Sequence, residues 1–145
     1  MVNGKKFFFI TSIIVLLDQL TKFLARNISE SIPLIKNVFH LTLIKNTGAG
    51  FGILQGQVWI LIFISLIVIG LILFKIDKIL KKKEYIWSFG LILGGAIGNL
   101  IDRIAFGFVT DFLDFRIWPA FNIADSALVV GVILLLVWSR KSKKD

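Results

Sequence analysis

The chain has 145 residues, 57% of them apolar, and a formal net charge of +8. That apolar share excludes an ordinary soluble surface, and the charges fall in short blocks between long uncharged stretches, as in a polytopic membrane protein. The basic residues sit beside apolar segments, which points to lipid headgroups and topology and away from nucleic acid. With no cysteine and one histidine, His40, there is no disulfide framework, thiol nucleophile, thiolate metal site or histidine metal cluster.

A first span is expected over about 7–25, with Asp18 and Lys22 in its second half. Lys5-Lys6 followed by Phe7 to Leu17 resembles a signal peptide. Asp18-Gln19-Leu20-Thr21-Lys22 follows without a small-residue cleavage site, so an uncleaved span is expected. Val38 to Lys45 is rich in β-formers and predicts a short strand or hairpin on the membrane surface. The run Asn46-Thr47-Gly48-Ala49-Gly50-Phe51-Gly52 predicts turns, a short interfacial helix after Gly48 being the alternative. Asn46 would hydrogen-bond the turn that follows it or a substrate backbone.

A second span over 58–74 carries no charge. The third, about 85–101, contains Gly94-x-x-x-Gly98 for close helix packing and ends in Asn99, Asp102 and Arg103. Gly95, Asn99 and Arg103 recur every four residues and share a face. Asp102 would balance Arg103 or cap that helix region. A fourth span is expected over 122–138, with Trp59, Trp87, Trp118 and Trp138 as interface anchors and a frayed lysine-rich tail. The fold class read from this pattern is an all-α membrane protein. It is a four-transmembrane-helix bundle with a small extracytoplasmic β-hairpin or sheet, forming a single domain over 1–145.

Basic residues precede span one (Lys5, Lys6), separate spans two and three (Lys75, Lys78, Lys81, Lys82, Lys83) and follow span four (Arg140, Lys141, Lys143, Lys144). An even number of spans places all three blocks, and both termini, on the cytoplasmic side. The loops over roughly 27–57 and 103–121 then face outward. Asp18, Lys22, Asn99, Asp102, Arg103, Asn122 and Asp125 gather at the outer boundary, with Asp111 just before span four.

Asp111 and Asp125 are the candidates for acid/base chemistry. Two carboxyl groups a few ångströms apart share a proton, so one can take a proton from water while the other polarises a carbonyl. Asp125 falls in the first turn of a helix, where the dipole favours its anion. Each residue also has a structural reading: Asn122 and Asp125 are spaced as a capping box, and Asp111 could be a solvated loop residue. Asp18 and Lys22, four apart, read as a buried ion pair or as a support for the site.

The blocks Asp18-Gln19-x-x-Lys22, Asn46-Thr47-Gly48-Ala49, Gly94-Gly95-Ala96-x-Gly98-Asn99-x-x-Asp102-Arg103, Val109-x-Asp111-Phe112 and Phe121-Asn122-x-Ala124-Asp125-Ser126 resemble, in order, the signature blocks of the lipoprotein signal peptidase (signal peptidase II) family. The resemblance implies an aspartic endopeptidase of the bacterial cytoplasmic membrane that removes the signal peptide from prolipoproteins, cutting before the diacylglyceryl-modified cysteine. It implies Asp111 and Asp125 as the catalytic pair. It implies Asp18, Lys22, Asn46, Gly95, Asn99, Arg103, Asn122 and Ala124 as substrate-binding or supporting residues. No metal or other cofactor is implied. The implied partners are the prolipoprotein substrates, membrane lipid and globomycin-type inhibitors, and a monomer is expected. Gly50 departs from the second alanine that many members carry there.

Two rivals make different demands. A small transporter needs polar residues threading both leaflets, whereas the second span offers only Ser65. A membrane scaffold would tolerate Asp111→Asn and Asp125→Asn.

Overall fold

The computed structural model describes residues 2–141; the tail beyond Lys141, expected to fray, lies outside the described residues. In chain order run α1 (Val2–Ala25), β1 (Ile32–Ile35), β2 (Phe39–Asn46), α2 (Val58–Phe74), α3 (Ile76–Leu80), α4 (Lys83–Phe106), β3 (Val109–Asp114) and α5 (Ile123–Lys141). Helices α1, α4 and α5 are long and apolar enough to cross a membrane, while α2 is apolar but has 17 residues. Helix α4 continues past Ile101, which brings Asp102 and Arg103 into its last turns. It stops at Gly107, whose φ of 74° closes the helix through its N–H to the Arg103 carbonyl at 3.1 Å.

Helix α4 is the centre of the bundle. Its most apolar stretch is 56% buried, against 28% in α1 and 17% in α5. The glycines explain how neighbours come so close. A Cβ on Gly90, Gly94 or Gly98 would run into Ile10, Ile14 or Asp18 of α1, so one four-residue stripe serves the α1 contact. Gly95 and, from the other side, Gly131 serve the α5 contact. The outward faces carry exposed Leu, Ile, Val and Phe, including Leu16, Phe63, Ile67, Val129 and Ile133. Such a surface is at home in hydrocarbon.

The expected surface strand exists, as β2, and it belongs to a three-stranded antiparallel sheet ordered β1-β2-β3. Strand β3 was not expected from the sequence. Its six residues contain Asp111, which is therefore a strand residue, 2% exposed, and no solvated loop residue. The ladder pairs Asn46 with Val109 and Ile44 with Asp111. Beyond β3 the chain turns back, and Phe121 exchanges backbone hydrogen bonds with Leu113 at 2.9 and 3.2 Å. That bridge sets Asn122 down beside β3 at the start of α5. Between Asn46 and α2 the only regular element is a 3-10 turn over Gly50–Gly52, where an interfacial helix had been the alternative.

The glycine contacts predict a contrast. A Cβ on Gly131 would lie 2.7 Å from Ile92 Cγ1 and 2.8 Å from the Ser88 carbonyl, whereas one on Gly70 would meet nothing. Gly131→Ala is expected to cost about 1–3 kcal/mol by prising α5 from α4. Gly70→Ala is expected to be neutral or slightly stabilising. Thermal melts of both purified variants in detergent decide; equal shifts would contradict the packing role.

Candidate active site

The site residues expected from the sequence converge at one end of the bundle. Asp111 comes from β3, Asp125, Asn122 and Ala124 from the start of α5, Asn99 and Arg103 from α4, Asp18 and Lys22 from α1, and Asn46 from the end of β2. Three asparagines connect them, and each is held in one orientation by a partner on its oxygen. Asn46 Oδ1 accepts the Gly48 N–H at 2.9 Å, which turns Nδ2 to Asp111 Oδ2 at 2.9 Å. Asn122 Oδ1 accepts the Asp125 N–H at 2.9 Å, which turns Nδ2 to Asp111 Oδ1 at 2.7 Å. Asn99 Oδ1 accepts from Lys22 Nζ at 2.9 Å, which turns Nδ2 to Asp125 Oδ1 at 2.8 Å.

The fourth carboxylate oxygen, Asp125 Oδ2, accepts the Asn122 N–H at 3.2 Å. The capping box between Asn122 and Asp125 is thus real, and it is also part of the site. Asn122 touches both aspartates, through its side chain on one side and its backbone on the other. Every oxygen of both carboxyl groups meets a fixed N–H donor, so neither group can rotate freely.

Beneath the pair lies an ion network. Lys22 Nζ stands 2.8 Å from Asp18 and 3.8 Å from Asp102, with all three side chains fully buried. Arg26 pairs with Asp102 at 2.8 Å. Asp102 acts on Arg103 through its charge without a direct ion pair; its other oxygen accepts the Thr110 N–H at 2.8 Å. Arg26 Nε donates to the Thr110 hydroxyl at 3.0 Å, and Asn122 Nδ2 reaches the Thr110 carbonyl at 3.4 Å. The residue before Asp111 is gripped on all its polar atoms. Asp18 Oδ1 accepts the Ala124 N–H at 2.9 Å, while a Cβ on Gly95 would lie 2.5 Å from the Ala124 carbonyl. Gln19 donates to Asp18 and to the Gly98 carbonyl, both at 3.1 Å. Arg103 reaches over the top to the Gly48 carbonyl at 3.2 Å, tethering the segment after β2.

The sequence marks Gln19 only as part of a signature block and assigns nothing to Arg26 or Thr110. A signal for Arg26 was available: Asp18, Lys22 and Arg26 recur every four residues and share a face of α1. Arg26 lay just outside the apolar span and looked like a flank.

The carboxyl groups border a cavity of about 830 Å³ that Asn46, Gly48, Asn99 and Arg103 also line. Its walls run on to Trp118, Leu128, Val129 and Val130, the last two on the outward face of α5. A polar reactive end thus opens sideways onto an apolar flank. Burial, and next the nearby Asp125 carboxylate, push the Asp111 carboxyl up to about 7; the hydrogen bonds from Asn46 and Asn122 pull the other way. Asp18 and Asp102 are balanced by Lys22 and Arg26, which leaves Arg103 facing Asp111 and Asp125. The pair is locally neutral when it holds one proton. Among the described residues no group of three His, Asp or Glu side chains is placed to hold a metal ion.

Residues 10–141 match the family model described as signal peptidase (SPase) II. A lipoprotein signal peptidase from Halothermothrix orenii is 49% identical over 140 residues, covering 94% of this chain and 97% of that protein. One from Caldanaerobacter subterraneus subsp. tengcongensis is 45% identical over 130 residues, covering 87% and 90%. Two solved structures described as bacterial membrane enzymes superpose with TM-scores of 0.86 and 0.77, each at 32% identity, and cover 97% and 92% of this chain and 90% and 91% of theirs.

Two stability predictions follow from the network. Arg26→Leu leaves the buried Asp102 with the longer Lys22 contact as its one remaining ion pair and frees the Thr110 hydroxyl. A loss of about 3 kcal/mol is expected, the low end for a broken buried pair because Arg26 keeps some exposure, with Arg26→Lys recovering part of it. An unchanged melting temperature would remove the grip assigned to Arg26. Asp111 binds its proton more tightly folded than unfolded, so its contribution is fully present below about pH 4 and is lost as pH rises through about 7. Relative to Asp111→Asn, the wild-type melting temperature should fall between pH 4 and 8, a constant offset aside. Parallel curves would show that Asp111 titrates normally.

Proposed function

The chain belongs to the signal peptidase II family of lipoprotein signal peptidases, proteases of aspartic type, and on that premise we propose that Asp111 and Asp125 are its catalytic dyad. The observation that carries this reading is the double grip of Asn122, at 2.7 Å on Asp111 and 3.2 Å on Asp125. The substrate is a diacylglyceryl-modified prolipoprotein, cut on the amino side of its lipidated cysteine. The signal peptide docks as an apolar helix along Leu128, Val129 and Val130, and the acyl chains remain in lipid.

In the resting enzyme Asp111 holds the shared proton and Asp125, in the first turn of α5, is the anion. Asp125 takes a proton from water. The resulting hydroxide adds to the scissile carbonyl carbon as Asp111 passes its proton to the carbonyl oxygen. The tetrahedral diol then collapses: the C–N bond breaks, the nitrogen leaves with the proton taken from the water, and the second hydroxyl proton returns to the dyad. Arg103 and the Asn99 and Asn122 amides hold the surrounding charge fixed, so little reorganisation is needed during reaction. Asp18, Lys22, Gly95, Ala124 and Asn46 are supporting residues in this scheme. The segment after Asn46, tethered by Arg103, covers the cavity during cleavage. A cross-link from that segment to α5 that left turnover intact would remove this role.

Residues 1–145 form one domain with four spans, α2 being the fourth. Its 17 residues extend about 26 Å, slightly less than the hydrocarbon core, a mismatch that local thinning accommodates. The lysine-rich end faces the cytoplasm, both termini included, and the dyad lies near the outer leaflet of the bacterial cytoplasmic membrane. The protein acts as a monomer and globomycin-type peptides occupy its cavity.

A gel-shift cleavage assay with a diacylglyceryl-modified precursor tests the reading. Asp111→Asn and Asp125→Asn should each lose at least a thousandfold in turnover while staying folded, with unmodified precursor and globomycin as controls. Substantial turnover in either folded variant would sink the dyad. The basic limb of the pH profile should lie near 7. Asn46→Ala removes a hydrogen bond that lowers the Asp111 value, so that limb should move to higher pH; a limb that stays put would assign the titration elsewhere.

A further inference from the structure

At the end of the bundle opposite the dyad lies a second cavity, about 470 Å³, between the turn preceding α4 and the last turns of α5. It is lined by Lys81, Lys82, Lys83, Glu84, Tyr85, Trp138 and Lys141. We propose that this cavity binds the phosphodiester headgroup of an anionic lipid, such as phosphatidylglycerol. The inference is independent of the catalytic reading.

The sequence alone explains a basic loop here by topology, and a topological signal needs no shape. The turn nevertheless has one. Helix α3 is pinned to the bundle: Ile79 is 5% exposed, and Asn3 Nδ2 of α1 donates to the Leu80 carbonyl at 2.8 Å. The Lys82 N–H donates to the Ile79 carbonyl at 3.2 Å and the Tyr85 N–H to the Lys82 carbonyl at 3.0 Å. The three consecutive lysines therefore stand on a fixed turn. Two of the ammonium groups rest on rings in the cavity wall, Lys82 on Tyr85 at 5.2 Å and Lys141 on Trp138 at 5.7 Å from the centroids. The Tyr85 ring is itself packed edge-on to Phe89.

Among the described residues none of the four lysines is ion-paired. Glu84 on the rim is the one acid against four bases. The arrangement offers an anion several ammonium donors at preset positions, with aromatic faces for the glycerol and the ester region below it. Basic pockets between spans on the cytoplasmic side take such headgroups. A lipid supplies that phosphate at the depth where Trp138 and Tyr85 sit, and its chains continue along the exposed apolar flank of α5.

The test is native mass spectrometry of the full-length protein released from micelles containing phosphatidylglycerol and phosphatidylcholine in equal amounts. Phosphatidylglycerol adducts should exceed phosphatidylcholine adducts at least tenfold. The triple variant Lys82→Gln, Lys83→Gln, Lys141→Gln should lose that preference. The triple variant Lys5→Gln, Lys75→Gln, Lys78→Gln removes equal charge outside the cavity and should keep it. Asp111→Asn should also keep it, which separates this result from the catalytic reading. Equal loss in both triple variants would reduce the effect to diffuse surface charge and overturn the site. Displacement of the lipid by equimolar inorganic phosphate, or no preference in the wild type, would overturn it as well.

Discussion

Carboxyl groups among apolar helices are tolerable only when their charges cancel locally and each oxygen meets a donor. The arrangement at this end of the bundle follows from that constraint. Asp18 and Asp102 are neutralised by Lys22 and Arg26, so the remaining pair, Asp111 and Asp125, faces Arg103 with room for one proton. The donors are mostly neutral amides, Asn46, Asn99 and Asn122. An ammonium in direct contact would hold Asp111 as a full anion. An amide supplies direction while leaving its proton affinity high.

Close helix packing is what permits the network. Lys22 reaches Asn99, and Asp18 reaches the Ala124 N–H, because Gly98 and Gly95 bring the backbones of α1, α4 and α5 within a side chain's length. The glycines that look like generic membrane packing thus set the distances within the site. The same helices give it rigidity, since most of its groups stand on α4, α5 and the clamped strand β3. The segment after β2 is tied to this frame from above, by the Arg103 bond to the Gly48 carbonyl and the Gly48 N–H bond to Asn46.

Where sequence reading and structure differ, the cause is long-range pairing. Val109 to Asp114 has no strong strand signal of its own. It becomes a strand because β2 offers it a free edge and because the Asp102 and Arg26 side chains grip Thr110. Asp102 reads from the sequence as balancing Arg103 or capping that helix region; adjacent helical residues point apart, so it reaches Arg103 only through its charge. Its true partners come from α1, 76 and 80 positions earlier in the chain. Arg26 escaped notice because a basic residue beyond an apolar span has an ordinary explanation in topology.

Taken alone, the amino-acid order determined the four apolar helical stretches, the strand before Asn46, the gathering of polar residues in one layer, and the two aspartates with most of their retinue. These features are local: apolar runs of helical length, four-residue spacings, and residue types that hydrocarbon excludes unless they serve a purpose. Tertiary structure alone decided that Asp111 lies on a buried strand, that Asn122 spans both carboxyl groups, that three salt bridges neutralise the floor beneath them, and that a lysine turn is shaped into a cavity. Each of those depends on contacts between distant segments, and no periodicity along one chain encodes which of several buried cations will meet which anion.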